Sequence, residues 1–235
     1  QNLLWGLFQP FAGAFADRHG AGRTLVGGAL LYIVGLVVMA HADTALGLNV
    51  GAGLLIGMGL SGTTFSVVLG VIGRMAAPEK RSMALGLASA GGSFGQFAVL
   101  PVGQGLISMV GWQDALLWLA LGIALIIPLA AAVTGTSDRS TGVQQSLREA
   151  LGEAMRTPSF HYLFWSFFVC GFQTAFIMLH LPAFVVDGGM SANIGMTAVA
   201  MIGLFNIFGT YLAGNLGQKY PMRKRYVLSG IYGLR

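Results

Sequence analysis

One short segment, from position 13 to position 23, carries most of the residues that could do chemistry together. Its key members are Gly13, Asp17, Arg18, Gly20 and Arg23. A carboxylate and two guanidinium groups at this spacing can pair with one another and with helix ends, and such pairs can break when helices move. The segment could therefore form ion pairs that break and re-form. The alternative is an anchor that only sets the orientation of the chain across a membrane.

A second copy of this segment occurs late in the chain, because Gly214 follows Gly13 by 201 residues. The matching members of the second copy are Gly214, Gln218, Lys219 and Lys224. Gln218 stands where the first copy has an aspartate, so we expect weaker pairing in the second copy. A duplicated loop is typical of a helical bundle built from two similar halves.

Five amide side chains lie inside otherwise apolar stretches: Gln9, Gln96, Gln104, Gln173 and Asn206. An amide surrounded by lipid must bond to a neighbouring helix or face a polar cavity. For Gln9, Gln173 and Asn206, a cavity that binds substrate and an interhelical hydrogen bond are equal alternatives. For the other two amides we favour the interhelical bond, which is worth about 0.6–2 kcal/mol.

Two ionisable residues are further candidates for the substrate cavity. His180 has an imidazole that could carry a coupled proton, although its place just before Pro182 favours a capping or interfacial role. Arg235 lies ten residues beyond Arg225 and could hold a carboxylate in a bidentate pair. The alternatives for Arg235 are a truncated helix end or an acidic partner elsewhere in the protein.

The sequence contains no set of residues that would support enzyme chemistry. We find no nucleophile–base pair, no paired carboxylates at mid-span, no metal-ligand cluster and no phosphate-binding loop. We therefore predict that the chain is not an enzyme, has no catalytic residue, binds no metal or cofactor and does not bind nucleic acid.

The composition is that of an all-α, polytopic membrane protein. Of the 235 residues, 55% are hydrophobic and only 9% are charged, whereas soluble domains carry about 25% charged residues.

The pairs Gly53/Gly57 and Gly91/Gly95 predict close helix contacts. The first and last apolar stretches fall short of the roughly 20 residues that cross a bilayer, so we expect truncation at both ends. The predicted spans are 1–16, 24–41, 47–73, 83–109, 113–134, 159–184, 193–217 and 226–235.

Positive charge is confined to alternate connections between these spans. Of the 13 lysines and arginines, all except Arg235 lie in the connections 17–23, 74–82, 135–158 and 218–225. The intervening connections carry Asp43, Asp114 and Asp187 and no basic residue. Because basic residues are retained on the cytoplasmic side, we predict that the four basic connections are cytoplasmic.

The connection 135–158 is the only long one, and it divides the chain. It begins with a polar linker over 135–142 and continues with an amphipathic helical stretch over 146–155. We therefore predict an N-terminal half over 1–134, a cytoplasmic linker over 135–158 and the start of a C-terminal half over 159–235.

The pattern G-x-x-x-D-R-x-G-x-x-R at 13–23 resembles the loop between helices 2 and 3 of major facilitator superfamily transporters. The segments 78–86 and 90–95 are similar to the helix 4–5 junction of many bacterial members. The segments 170–173 and 180–182 resemble helix 7 of bacterial carriers grouped with monocarboxylate transporters. The resemblance implies a bundle of two halves, truncated at both ends and covering about helix 2 to early helix 9, and it numbers the helices of the two predicted halves 2–6 and 7–9. It also implies that loop 13–23 latches the halves on the cytoplasmic side.

These observations predict a secondary active transporter that moves a small organic solute by alternating access. A carboxylate anion is the candidate solute, and a proton or another ion is the candidate coupling partner. We expect a multi-pass monomer in the lipid bilayer of the cell (inner) membrane. The alternative is a seven-helix-type receptor or binding protein without translocation, which the duplicated loop argues against.

Overall fold

The computed structural model describes residues 1–134 and 146–234, and within these ranges the chain is helical with no strand, which confirms the all-α prediction. The linker over 135–142 and Arg235 lie outside the described residues. The elements in order are α1 (Asn2–His19), α2 (Ala21–Ala40), α3 (Ala45–Leu48), a π-helix (Asn49–Leu55), α4 (Ile56–Thr63), α5 (Phe65–Met75), α6 (Arg81–Ala124), α7 (Ile126–Thr134), α8 (Leu147–Arg156), α9 (Pro158–Asp187), α10 (Ala192–Lys219), a 3-10 turn (Pro221–Arg223) and α11 (Lys224–Leu234).

The connection between α1 and α2 is a single residue, Gly20, with φ 92°. Its N–H donates to Ala16 O at 2.9 Å, and Thr24 Oγ1 donates to its carbonyl at 3.1 Å. The expectation of a turn over 17–23 is corrected here, because Asp17 is still helical and Arg23 already belongs to the first turn of α2. Glycine reaches positive φ without steric penalty, so one residue is enough to reverse the chain.

A second single-residue break replaces the turn predicted between the spans 83–109 and 113–134. Gly111 has φ 83° and ψ 167° and separates two helical stretches within α6. The span that begins at Ala45 is also irregular. It contains the π-helix, and it breaks at Thr64, whose backbone is extended between α4 and α5.

The helices α2 and α4 approach through glycines. A Cβ built on Gly28 would lie 2.8 Å from Gly59 O, and one built on Gly51 in the π-helix would lie 2.9 Å from Gly35 O. The sequence predicted close contacts at other glycines, and that expectation is wrong for three of the four, since a Cβ there meets no described atom within 4 Å. The three are Gly53, Gly91 and Gly95.

Two apolar clusters of described residues hold together six of the first seven helices, those other than α3. One joins α1, α2, α5 and α7 through Ala16, Leu25, Val67 and Ala130. The other joins α2, α4 and the second stretch of α6 through Leu36, Ile56 and Ala120. Together they fix the positions of the charged helix ends at Asp17 and in α5.

Five helical segments in the described ranges are long and apolar enough to cross a membrane: Ala21–Ala40, Ala45–Met75, Arg81–Ala131, Pro158–Asp187 and Ala192–Lys219. The third contains two predicted spans separated at Gly111.

By its contacts the chain forms two compact units, one of residues 1–137 with 200–235 and one of residues 138–199. The division into halves at the linker stays a prediction.

Candidate functional site

The first copy of the charged segment forms one ion pair. Arg74 Nη1 in the last turn of α5 lies 3.3 Å from Asp17 Oδ1 near the end of α1. Both side chains are mostly exposed, at 58% and 68%, so the pair is worth at most about 1 kcal/mol. Arg18 and Arg23 are exposed and form no ion pair within the described part of the chain. The pair ties two helix ends within the predicted N-terminal half.

The sequence analysis expected pairing at Asp17 but did not name Arg74. The sequence did contain a sign of this partner, because Arg74 is the first basic residue of the next predicted cytoplasmic connection. Gly13 lies inside α1, where a Cβ would meet no described atom within 4 Å. This glycine therefore makes no close helix contact in the structure.

The second copy contacts α6 through an amide. Gln218 Oε1 accepts a hydrogen bond of 3.2 Å from the backbone N–H of Met83. Met83 lies in the first turn of α6, where backbone N–H groups have no acceptor within their own helix. Gln218 therefore satisfies one of these donors from another helix, and a backbone donor gives no side-chain signal by which sequence reasoning could find it.

The remaining basic members of the second copy point to no acid in the described residues. Lys219 is exposed, with Nζ 5.6 Å from the centre of the Tyr220 ring. Lys224 is exposed at the start of α11. Both lysines lie near the end of α10 that carries Gln218.

Next to Gln218, α6 and α10 pack through what we call the α6–α10 seam, formed at this end by Ser82 and Gly86 of α6 with Gly214 and Gly217 of α10. A Cβ on Gly86 would lie 2.8 Å from the Cα of Gly214, and one on Gly217 would lie 2.5 Å from Ser82 Oγ. Real Cβ atoms are not found at such distances, so only glycine fits at Gly86, where the close atom is backbone; at Gly217 the Ser82 hydroxyl would have to rotate away.

The seam continues along both helices. A Cβ on Gly203 would lie 2.9 Å from Phe97 N and 3.2 Å from the Cγ of Gln96. Gly203 is eleven residues from Gly214, about 16 Å along the helix. The contacts advance along α6 as they go back along α10, so the helices are antiparallel. The Gln96 side chain thus lies at the contact between α6 and α10, and its interhelical hydrogen bond stays a prediction.

The candidate cavity residues lie on three helices. Gln9 is half-buried in α1, Gln173 is half-buried in α9, and Asn206 is exposed in α10. His180 is exposed, and its ring is 4.6 Å from that of Phe176. The binding cavity therefore stays a prediction.

A residue that sequence reasoning missed lies one helical turn before Gln9. The indole N–H of Trp5 is buried and has no hydrogen-bond partner among the described residues. A buried donor without an acceptor is unfavourable. The sequence does show that Trp5 and Gln9 share one side of α1, because residues four apart lie on the same helix face.

Comparison with known proteins decides the family. Residues 3–234 match the sequence model of the Major Facilitator Superfamily. The chain belongs to the Major Facilitator Superfamily. This confirms the resemblance read from the loop at 13–23 and places the chain among transporters rather than enzymes. It gives no support to the receptor alternative.

Several curated proteins are similar to this major facilitator chain. It is 26% identical over 211 residues to the oxalate:formate antiporter of Oxalobacter formigenes, covering 84% of the chain and 48% of that protein. It is 34% identical over 122 residues to monocarboxylate transporter 11 of Mus musculus, covering 52% and 27%. It is 28% identical over 148 residues to monocarboxylate transporter 2 of Homo sapiens, covering 63% and 30%. The chain thus spans about half the length of these relatives or less.

Proposed function

We propose that the protein containing this chain is a secondary active transporter of small organic anions that works by alternating access. The observation that carries the proposal is the match of nearly the whole chain to the Major Facilitator Superfamily. The names of the relatives, an oxalate:formate antiporter and monocarboxylate transporters, favour small carboxylates as the solutes. A proton or another ion is the proposed coupling partner, and a monomer is the proposed working unit.

A counterflow assay tests this function. The full-length protein is reconstituted into vesicles that are preloaded with unlabelled solute, and the entry of labelled formate, oxalate, lactate, glucose or alanine is measured. We expect the carboxylates to exchange and the sugar and amino acid not to. Binding of a carboxylate without entry would favour a receptor instead, and exchange of glucose alone would contradict the substrate class.

We further propose that the α6–α10 seam is a gate between the two predicted halves. It lies between a helix of the N-terminal half and a helix of the C-terminal half. To open, it must separate backbones in contact at Gly86 and Gly214 and break the hydrogen bond from Met83 to Gln218, which is worth about 0.5–1.5 kcal/mol. The contact is small enough to break and re-form during a transport cycle.

The two copies of the charged segment then have different roles. We assign Asp17, with Arg74, to holding α1 and α5 together within the N-terminal half, and Gln218 to joining the halves. We propose that the basic side chains fix the membrane side of both copies. Those side chains are Arg18, Arg23, Lys219 and Lys224. Gly13 and Gly20 complete the proposed gating set.

The proposed location is the cell (inner) membrane, with the basic connections 17–23, 74–82, 135–158 and 218–225 on the cytoplasmic side. The confinement of basic residues to these connections supports this orientation. The gate would then be closed on the cytoplasmic side in the structure described here. The proposed cavity residues are Gln9, Gln173, His180, Asn206 and Arg235.

A further inference from the structure

The helix α8 precedes the spanning helix α9 and presents an apolar stripe to its surroundings. The stripe has the spacing of one helix face and consists of Leu147, Ala150, Leu151, Ala154 and Met155. Leu151 is 45% exposed and Met155 is 61% exposed, so the described residues do not cover this face. An apolar face exposed on a short helix is unfavourable in water, so we expect another molecule or surface to cover it.

Both ends of α8 are closed by hydrogen bonds from the chain itself. At its start, Glu149 N–H donates to Ser146 Oγ at 3.3 Å, and Ser146 N–H donates to Glu149 Oε2 at 2.9 Å. A helix whose terminal polar groups are satisfied in this way can lie where water is scarce.

At its end, α8 meets α9 in a hydrogen-bonded elbow centred on Thr157. Thr157 donates twice, from its N–H to Ala154 O at 3.1 Å and from Oγ1 to Glu153 O at 2.9 Å. His161 Nε2 donates to Met155 O at 2.8 Å. The last carbonyls of α8 are thereby satisfied by the elbow, which also ties α8 to the first turn of α9.

The first turns of α9 mark the level of the membrane surface. The segment Pro158–Asp187 is long and apolar enough to span. Exposed aromatic side chains at Tyr162 and Trp165 follow directly after the elbow, and such aromatic residues are enriched at membrane–water interfaces. Only Thr157 separates α8 from α9, so α8 begins at that surface.

From these observations we infer that α8 lies on the bilayer surface, with its apolar stripe in the boundary between headgroups and acyl chains. The occupant of the stripe is phospholipid. The polar face carries two arginines and two glutamates, Arg148, Glu149, Glu153 and Arg156, so its formal charge balances. Attachment is therefore driven by apolar burial and not by attraction to anionic headgroups. The helix holds the start of α9 at a fixed depth.

Spin labelling of the full-length protein in vesicles tests this inference. In a background free of other cysteines, with Cys170→Ala, single cysteines are introduced as Leu151→Cys, Met155→Cys, Gly152→Cys and Arg156→Cys, and each carries a nitroxide. The last two are matched controls on the opposite face of the same helix. The collision rates with oxygen, which concentrates in lipid, and with a water-soluble nickel chelate give a depth parameter.

We expect a positive depth parameter at 151 and 155 and a negative one at 152 and 156. The same pattern should appear in phosphatidylcholine vesicles with and without phosphatidylglycerol. Equal nickel access at all four positions would place the helix in water and overturn the inference. Protection of 151 and 155 from both reagents would mean that protein covers the stripe, and a need for phosphatidylglycerol would mean that headgroup charge drives the contact; each result overturns it.

Discussion

Gln218 takes the place of Asp17 in the second copy of the segment, but its amide is uncharged and bonds to a backbone N–H instead of a guanidinium group. It accepts from a backbone N–H at the start of α6, where the helix dipole places partial positive charge. A neutral amide gives a weaker hydrogen bond than a carboxylate would. The seam is therefore stabilised only modestly by this residue, as the proposed gate requires.

Replacing Gln218 tests its role directly. We expect Gln218→Glu to favour the closed seam by about 1 kcal/mol, because a hydrogen bond to a charged acceptor is stronger, and Gln218→Ala to favour the open seam by a similar amount. The distance between spin labels at the exposed positions 79 and 220, measured by pulsed electron resonance, reports the two populations.

The matched control for this pair is Arg223→Gln, which lowers the net charge of the same turn by one without supplying an acceptor to α6. If Arg223→Gln shifts the populations as far as Gln218→Glu does, bulk charge is the cause and the assigned role of Gln218 is wrong.

Glu149 gives a prediction for pH. Its hydrogen bonds with Ser146, first with the backbone N–H and then with the side chain, hold the pKa of the Glu149 carboxyl below its ordinary value. The stabilisation of α8 is therefore complete above that ordinary value and is lost as the pH falls through the lowered pKa. We expect a label at Gly152 to become more mobile over that acidic range. Glu149→Gln should abolish the transition, and its persistence would exclude Glu149 as the titrating group.

At the scale of elements, the seam depends on glycines that face one another. We expect Gly214→Ala to hold the seam apart, because the new Cβ would lie 2.9 Å from the Cα of Gly86 and such overpacking costs about 1–3 kcal/mol. Gly209→Ala is the matched control, since its Cβ meets no described atom within 4 Å and it brings the same gain in helix propensity. The label distance between 79 and 220 should lengthen only in the first variant.

The seam also predicts a disulfide. The Cβ of Ser82 lies 3.8 Å from a Cβ built on Gly217, a separation typical of bonded cysteines. In the Cys170→Ala background, we expect Ser82→Cys with Gly217→Cys to cross-link under mild oxidation and to stop counterflow until reduced. The control pair is Gly91→Cys with Gly209→Cys, on the same two helices with open space at both positions. Full transport by the cross-linked protein would show that the seam is not a gate.

The sequence predicted the helices better than the connections between them. Six of the eight predicted spans correspond to the five described segments that are long and apolar enough to cross a membrane, because length and hydrophobicity decide what crosses. The turns expected at 17–23 and 108–114 each shrink to one glycine, since positive φ at Gly20 and Gly111 reverses the chain within a residue. Which glycines touch was not predictable, because the contact at Gly86 depends on the rotation of both helices and not on a local motif.

For the whole molecule, the family was readable from residues 13–23 because charge, glycine and spacing act together there. The substrate was not readable, since amides such as Gln9 and Gln173 fit both a cavity and a helix contact. The distribution of basic residues still gives a global prediction, the orientation of the chain.

We expect single cysteines at Arg18→Cys and Arg223→Cys to resist a membrane-impermeant maleimide added to intact cells and to react once the cells are permeabilised. A cysteine at Asp43→Cys, in a connection of the opposite kind, serves as the control and should react in intact cells. Labelling of position 18 or 223 from outside would reverse the orientation and move the gate to the other face.

Gly20 alone connects α1 to α2, so this one-residue joint has no spare length. Any tilt of α1 must be passed on to α2, so the two helices behave as a stiff hairpin rather than as two independent rods. An extra residue inserted after Gly20 and absorbed into α2 would turn that helix by about 100°. Gly28 and Gly35 would then face away from α4, so we expect natural variants of this protein to keep the length of this joint unchanged.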